Sequence, residues 1–144
     1  MGRLLMQVNE SNLALWVPTG PAREGDAGID LINAGSTLII DPGAIAHVPC
    51  GVSVKVPSGH FGMITGRSST FSKKGLLVPQ SIIDEGYVGP LYVVAWNPGL
   101  VPIAVPTADR IAQLILVPYV TPVAELVDSL PETERGTHGF GSTG

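Results

Sequence analysis

Charge is scarce in this 144-residue chain. Asp, Glu, Lys and Arg make up only 14% of it, against 44% apolar residues. Two arrangements accommodate so little charge: one tight core, or apolar surface buried between subunits. The balance is acidic, with a formal net charge of −4 and no basic run. That argues against nucleic-acid backbone binding as the main activity. Cysteine is nearly absent too. Cys50 stands alone, so neither a disulfide framework nor a Cys-based zinc site can form within the chain. No apolar run approaches the ~20 residues of a membrane-spanning helix. The segment 1–6 has no long apolar core or cleavage-like site, so no signal peptide is expected. Together these absences predict a cytoplasmic protein without nucleic-acid or membrane partners. His47, His60 and His138 share no metal-ligand spacing with each other or with the carboxylates.

Proline and glycine are abundant instead, 13 and 18 respectively. Proline removes a backbone donor and breaks helices, so few long helices are possible. Short β-branched runs lie between the breakers. Segments 36–40 and 44–48 flank Asp41-Pro42-Gly43. Segments 51–56 and 60–65 flank Pro57-Ser58-Gly59. Segments 91–96 and 100–105 flank Asn97-Pro98-Gly99. Each pair reads as a β-hairpin with turn residues in the gap. Strands at 110–117 and 123–127 complete an all-β pattern, a barrel or jelly roll. One short helix is expected from Ser68 to Lys74, stopped by Gly75. Pro122 precedes the last strand, where a fixed φ makes either a simple bend or an exchange between subunits. The composition changes only after Pro131. The division predicted is a β-barrel at 1–130 and a Gly-rich C-terminal lid of the same domain at 131–144.

The lid is the most distinctive stretch. Arg135-Gly136-Thr137-His138-Gly139-Phe140-Gly141-Ser142-Thr143-Gly144 combines a cation, one aromatic, hydroxyls and glycines. Glycines let a backbone approach a ligand with its N–H groups turned inward. Arg135 offers a fork suited to phosphate oxygens, and Ser142 and Thr143 offer hydroxyl donors. Phe140 has no local core to join, so stacking on a flat ligand suits it.

Upstream, Gly66-Arg67-Ser68-Ser69 places a guanidinium and two hydroxyls at a strand end, which suits a phosphate. Asp84, after what reads as a buried strand end, can take a proton from an attacking water; a turn-initiating Asp is the plainer reading. Tyr87 can pack on a sugar ring or serve as a half-buried edge aromatic. Asp30 interrupts an apolar run and needs a partner, either an arginine or an ion it helps to orient. Gln113, in Asp109-Arg110-Ile111-Ala112-Gln113, must be satisfied by backbone or by ligand.

These pieces occur in a fixed order, and in that order they resemble the five motifs of the trimeric dUTPase family. The motifs are Asp26–Leu31, Gly66–Ser69, Ile82–Tyr87, Asp109–Leu114 and Arg135–Gly144. The resemblance implies a jelly-roll-like β-barrel subunit and a homotrimer with a swapped C-terminal strand. It also implies active sites shared between subunits and closed by the tail. The implied reaction is dUTP plus water to dUMP and pyrophosphate with Mg²⁺, limiting uracil in DNA and supplying dUMP. Asp84 would be the base that activates water at the α-phosphorus. Tyr87 would pack on the deoxyribose. Gln80, Ser81, Ile82, Ile83, Tyr92 and Val94 would read the uracil edge, with Phe140 stacked on the ring. Arg67, Ser68, Ser69 and Gln113, with Arg135, Gly141, Ser142 and Thr143 of the lid, would hold phosphates or the metal's waters. Asp30, Asp109 and Arg110 would support them from behind. No direct protein ligand to Mg²⁺ is implied. Gly86, Pro90 and Ser81 depart from the family pattern, and Gly86 would loosen the turn that carries the base. Two other readings share the fold: a dCTP deaminase, and a non-catalytic nucleotide sensor. The first needs a glutamate on the strand before Asn97-Pro98-Gly99, and Leu91–Trp96 holds no carboxylate.

Overall fold

The computed structural model describes residues 2–141. Nine strands and one α-helix follow in chain order, with one 3₁₀ turn at Glu10–Asn12: β1 (Leu5–Val8), β2 (Gly28–Ile32), β3 (Leu38–Ile40), β4 (Ile45–Lys55), β5 (His60–Gly66), α1 (Ser68–Lys74), β6 (Ser81–Ile83), β7 (Pro90–Trp96), β8 (Ile103–Val105) and β9 (Arg110–Pro118). They form three sheets of order β1-β4-β7, β2-β9-β5-β6 and β3-β8, with every pairing antiparallel. The chain is thus all-β, as its composition predicts.

Alternation of side chains explains how the sheets pack. On β7, Leu91, Val93 and Ala95 are buried while Tyr92 and Trp96 are exposed, the period-two pattern of a strand with one face inward. Val48, Val52 and Val54 of β4, Ile64 of β5 and Ile111, Ala112 and Leu114 of β9 meet them in one core. Each such side chain contributes roughly 1.5–3 kcal/mol on full burial.

The strands lie close to where they are expected, but the three hairpins do not form. β3 pairs with β8, β4 with β1 and β7, and β5 with β6 and β9. The turns at Asp41-Pro42-Gly43 and Pro57-Ser58-Gly59 do reverse the chain, with Ala44 N–H on Asp41 O at 3.0 Å and His60 N–H on Pro57 O at 3.2 Å. They carry it from one sheet to another rather than back along the same one. Asn97 shows why. Its buried amide donates to Ile40 O and Val101 O, both at 2.8 Å, and its backbone N–H donates to Ala44 O at 3.1 Å. The side chain therefore fastens the turn to β3 and sends β8 away from β7. Asn33 does the same at the other end of β8, donating to Val105 O at 2.9 Å.

The helix has the predicted bounds. Gly75 closes it at φ 70°, a left-handed stop that glycine adopts without strain. The strand expected at 123–127 is absent. The described residues beyond β9 carry no strand, and Val123 and Leu126 are 96% and 99% exposed. A strand needs a neighbour, and the chain offers this segment none. The strand before Asp84 also differs from expectation. β6 is a three-residue edge strand, and Ile82 is more than half exposed rather than buried.

Candidate active site

Two groups of candidate site residues lie at opposite ends of β5. At one end, β5 stops at Gly66 and α1 begins at Ser68, so Arg67 occupies the junction. Its Nε meets Asp30 Oδ1 at 2.9 Å, and Arg110 Nη1 meets Asp30 Oδ2 at 2.9 Å. Asp30 therefore has its predicted partner, twice over. The pairing is possible because β2 and β5 both flank β9 in one sheet. Gln113 is satisfied by backbone, its Nε2 donating to Gly66 O at 3.1 Å. Its side chain also crowds Gly28, where a Cβ would fall 2.8 Å from Gln113 Oε1. Asp109 pairs with Lys74, which anchors the end of α1 to the start of β9. Ser68 is exposed and Ser69 half-buried at the first turn of α1.

Trp16 belongs to this group and was not singled out in the sequence. The Arg110 guanidinium lies 5.1 Å from its ring centroid, and the ring is 67% exposed. Trp16, Pro18, Gly20, Asp30 and Arg110 line a pocket of about 400 Å³. An isolated aromatic far from any motif carried no signal, because only the fold sets it beside Arg110.

At the other end lies Asp84. Register aligns Ile83 with Gly62, so Asp84 follows opposite Phe61, six residues from Arg67. At about 3.3–3.4 Å per residue this is about 20 Å along the strand. Asp84 is exposed and borders a cleft of about 260 Å³ with Ile82, Ile83, Tyr87, Pro90 and Tyr92. Tyr87 is fixed in place: its hydroxyl donates to Pro90 O at 2.8 Å. Gly89 makes room for the ring, since a Cβ there would fall 2.5 Å from Tyr87 Oη.

The cleft lies between two sheet edges, β6 of one and β7 of another. On β7, Trp96 exchanges both backbone bonds with Leu77, at 2.8 and 2.9 Å, on the side away from β4. Backbone groups alternate sides along a strand, so Val94 and Tyr92 also aim their N–H and C=O at this outer edge. Tyr92 sits opposite Pro49, which has no N–H to offer it. Among the described residues, Tyr92 on this outer edge borders the ligand-sized cleft. Gln80 and Ser81 lie just before and at the start of β6, with Gln80 exposed and Ser81 half-buried.

Residues 131–141, the described part of the expected lid, bond among themselves. Arg135 Nε donates to His138 O at 2.7 Å, and Gly136 N–H to Thr133 O at 3.1 Å, so the segment curls on itself. Phe140 is fully exposed at φ 50°, beside Gly141 at φ 84°. Ser142 and Thr143 lie outside the described residues. Among the described residues no helix is long and apolar enough to cross a membrane.

The dUTPase family model matches residues 16–144. The chain belongs to the dUTPase family. It is 42% identical over 123 residues to the deoxyuridine 5'-triphosphate nucleotidohydrolase of Orientia tsutsugamushi (strain Boryong), covering 83% of each chain. Its fold matches the Staphylococcus bacteriophage 80alpha dUTPase solved with dUPNHPP, with a TM-score of 0.90 and 28% identity over 100% of this chain and 99% of that one. The dUTPase of phage phi11 of S. aureus matches at TM-score 0.80 and 24% identity, over 91% and 100% of the two chains; a structural Mg(II) ion is described for that protein. The dUTPase motifs read in the sequence thus belong to a real dUTPase barrel.

Proposed function

We propose that the chain is a dUTP diphosphatase that cleaves dUTP to dUMP and pyrophosphate, with Asp84 as the base that activates the attacking water. The observation that carries this reading is the cleft beside Asp84. An exposed carboxylate, the Tyr87 ring and Tyr92 border one ligand-sized space, and Val94 follows on the same strand edge. Uracil presents alternating acceptors and a donor on its edge, which an open strand edge can match. Cytosine would leave one of those groups unpaired, a costly mismatch. The Tyr87 ring forms a wall against which a deoxyribose packs and a 2′-hydroxyl does not.

The Arg67 group is the phosphate end. Arg67 and Arg110 are held by Asp30, so their remaining N–H donors are preorganised rather than free to rotate. Preorganised donors stabilise developing phosphate charge at no reorganisation cost. Ser68 and Ser69 add hydroxyls at the same junction.

The two groups stand about 20 Å apart along β5 in one chain, a separation that supports assembly of the site from more than one copy. A homotrimer exchanging the exposed segment 121–130 would satisfy both observations. Each segment would gain the strand partner it lacks, and each Asp84 would face another copy's Arg67. In the same arrangement, segment 131–144 would close over a neighbour's cleft as a lid, with Phe140 on the uracil and Arg135, Gly141, Ser142 and Thr143 on the phosphates.

Mg²⁺ fits this scheme as an ion carried on the substrate. Among the described residues no group of three His, Cys, Asp or Glu gathers to hold a metal, and Asp30 has both oxygens engaged by arginines. A triphosphate supplies oxygen ligands itself, and the ion would neutralise phosphate charge there. Incubation with Mg²⁺ and each of dUTP, dCTP and dTTP tests the reading. Pyrophosphate from dUTP alone is expected. Ammonia from dCTP, or no turnover of any substrate, contradicts it.

A further inference from the structure

Asp84 rides on a short turn with little to hold it. The turn is closed by Tyr87 N–H on Asp84 O at 3.1 Å. It hangs from the three-residue edge strand β6. Nothing packs on Gly86, where a Cβ would meet no atom within 4 Å. A base on so loose a support would sample many positions, and catalysis needs one.

The neighbouring side chain supplies the missing restraint. Glu85 Oε2 accepts Gly59 N–H at 3.1 Å and Tyr119 O–H at 3.4 Å, and Lys55 Nζ reaches Glu85 O at 3.5 Å. These partners come from three places: the end of β4, the turn between β4 and β5, and the first residue after β9. Tyr119 is itself braced by Phe61, with ring centroids 6.1 Å apart. The Gly59 N–H, then Ser58, Tyr119 and Lys55, hold the Glu85 carboxyl below its ordinary range. The group is therefore ionised near neutral pH and accepts strongly.

We propose that Glu85 is a positioning residue for the hydrolysis: its carboxylate clamps the Asp84 turn to the Gly59 turn and to Tyr119, fixing the base at the mouth of the cleft. The inference rests on the reading of Asp84 as the base. It also gives the turn the stiffness that Gly86 fails to supply. Because Tyr119 is where the chain leaves the barrel for its C-terminal segment, one carboxylate joins the base to the root of that segment.

The test uses the full-length protein with Glu85→Ala, Glu85→Gln, Tyr119→Phe and Asp84→Asn, reading kcat and KM for dUTP and amide hydrogen exchange at Gly59 and Tyr87. Glu85→Ala is expected to lower kcat by at least about tenfold, with KM within about twofold and faster exchange at both amides. Glu85→Gln keeps an oxygen for the Gly59 N–H and is expected to restore most of kcat. Tyr119→Phe is expected to lower kcat about threefold, and it carries the test alone should Glu85→Ala not fold. Unchanged kcat and unchanged Gly59 exchange in Glu85→Ala overturns the clamp, as does unchanged kcat in Tyr119→Phe where that variant stands alone. Equal losses of kcat and thermal stability in the Ala and Gln variants overturn it too. Full activity in Asp84→Asn would instead overturn the base assignment, while the exchange readout would still judge the clamp.

Discussion

At the Arg67 end of β5 the charged groups are paired within the chain, Asp30 with two arginines and Asp109 with Lys74. At the Asp84 end, among the described residues, the carboxylate enters no ion pair, and the strand edges beside it present unpaired backbone. The contrast matches what each end would bind under the proposed function. A triphosphate needs fixed positive charge, and arginines are fixed by tying them to a buried-side carboxylate. A base and sugar need shape and a donor–acceptor edge, which backbone provides without charge. As the proposed base, Asp84 would need a carboxylate free of cations on its own chain to take a proton from water. Under the proposed function, one chain would carry half of two sites rather than the whole of one.

Several substitutions break or sharpen this contrast. The largest effect is expected from Asp84→Asn, which should lower kcat by roughly 10²- to 10⁴-fold while dUTP binding, measured by calorimetry, survives. Truncation after Glu134 should cost roughly 10²-fold in kcat, because the lid's donors are lost, with the trimer intact by light scattering. A dissociated monomer would make the tail structural rather than catalytic. Arg67→Ala should raise KM by about 10- to 100-fold, the loss of one charge-assisted contact of ~1.5–3 kcal/mol, and Asp30 should remain held by Arg110. Trp16→Leu should act in the same direction but weakly, about two- to fivefold in KM, since an exposed cation–π contact is worth ~0.5–1 kcal/mol.

The smallest effect concerns pH. Glu85 has a folded-state pKa below its ordinary value. Its contribution to stability is present above the unfolded pKa and lost as pH falls through the lowered folded value. Carbon-detected NMR of the Glu85 carboxyl should therefore give a midpoint below that of an ordinary glutamate, and an ordinary midpoint would mean the clamp is not populated. Cys50 is a matching control in the core. Burial pushes its thiol up to about 12, so it should resist thiol reagents in the native protein at pH 8.

The elements were far more legible in the sequence than their partners. α1 was readable because Gly75 and the hydroxyls of its first turn act locally. The runs at 60–65 and 91–96 were readable because short runs bounded by Pro and Gly breakers are local too. Pairing was not, because Asp-Pro-Gly and Asn-Pro-Gly fix a reversal of direction but not the sheet the chain enters next. Asn97 decides that by bonding to Ile40, 57 residues away in sequence. In the site, Asp30's need for a partner was legible as a charge in an apolar run. Its sharing by two arginines was not, and neither was Trp16. The strand expected at 123–127 illustrates the same limit from the other side: its apolar pattern is present, and the chain supplies no neighbour to pair with it.

The proposed sharing of one site between copies is tested most directly by mixing two impaired variants. Asp84→Asn and Arg67→Ala trimers, each assayed alone at low dUTP, should show little turnover. After unfolding together in equal amounts and refolding, about one quarter of the sites should combine an intact Asp84 from one chain with an intact Arg67 from another, if copies assemble at random. Recovery to about one quarter of the wild-type rate is the predicted result. No recovery above the two parents, with trimers reformed, would place Asp84 and Arg67 of a single chain in one site and contradict the account.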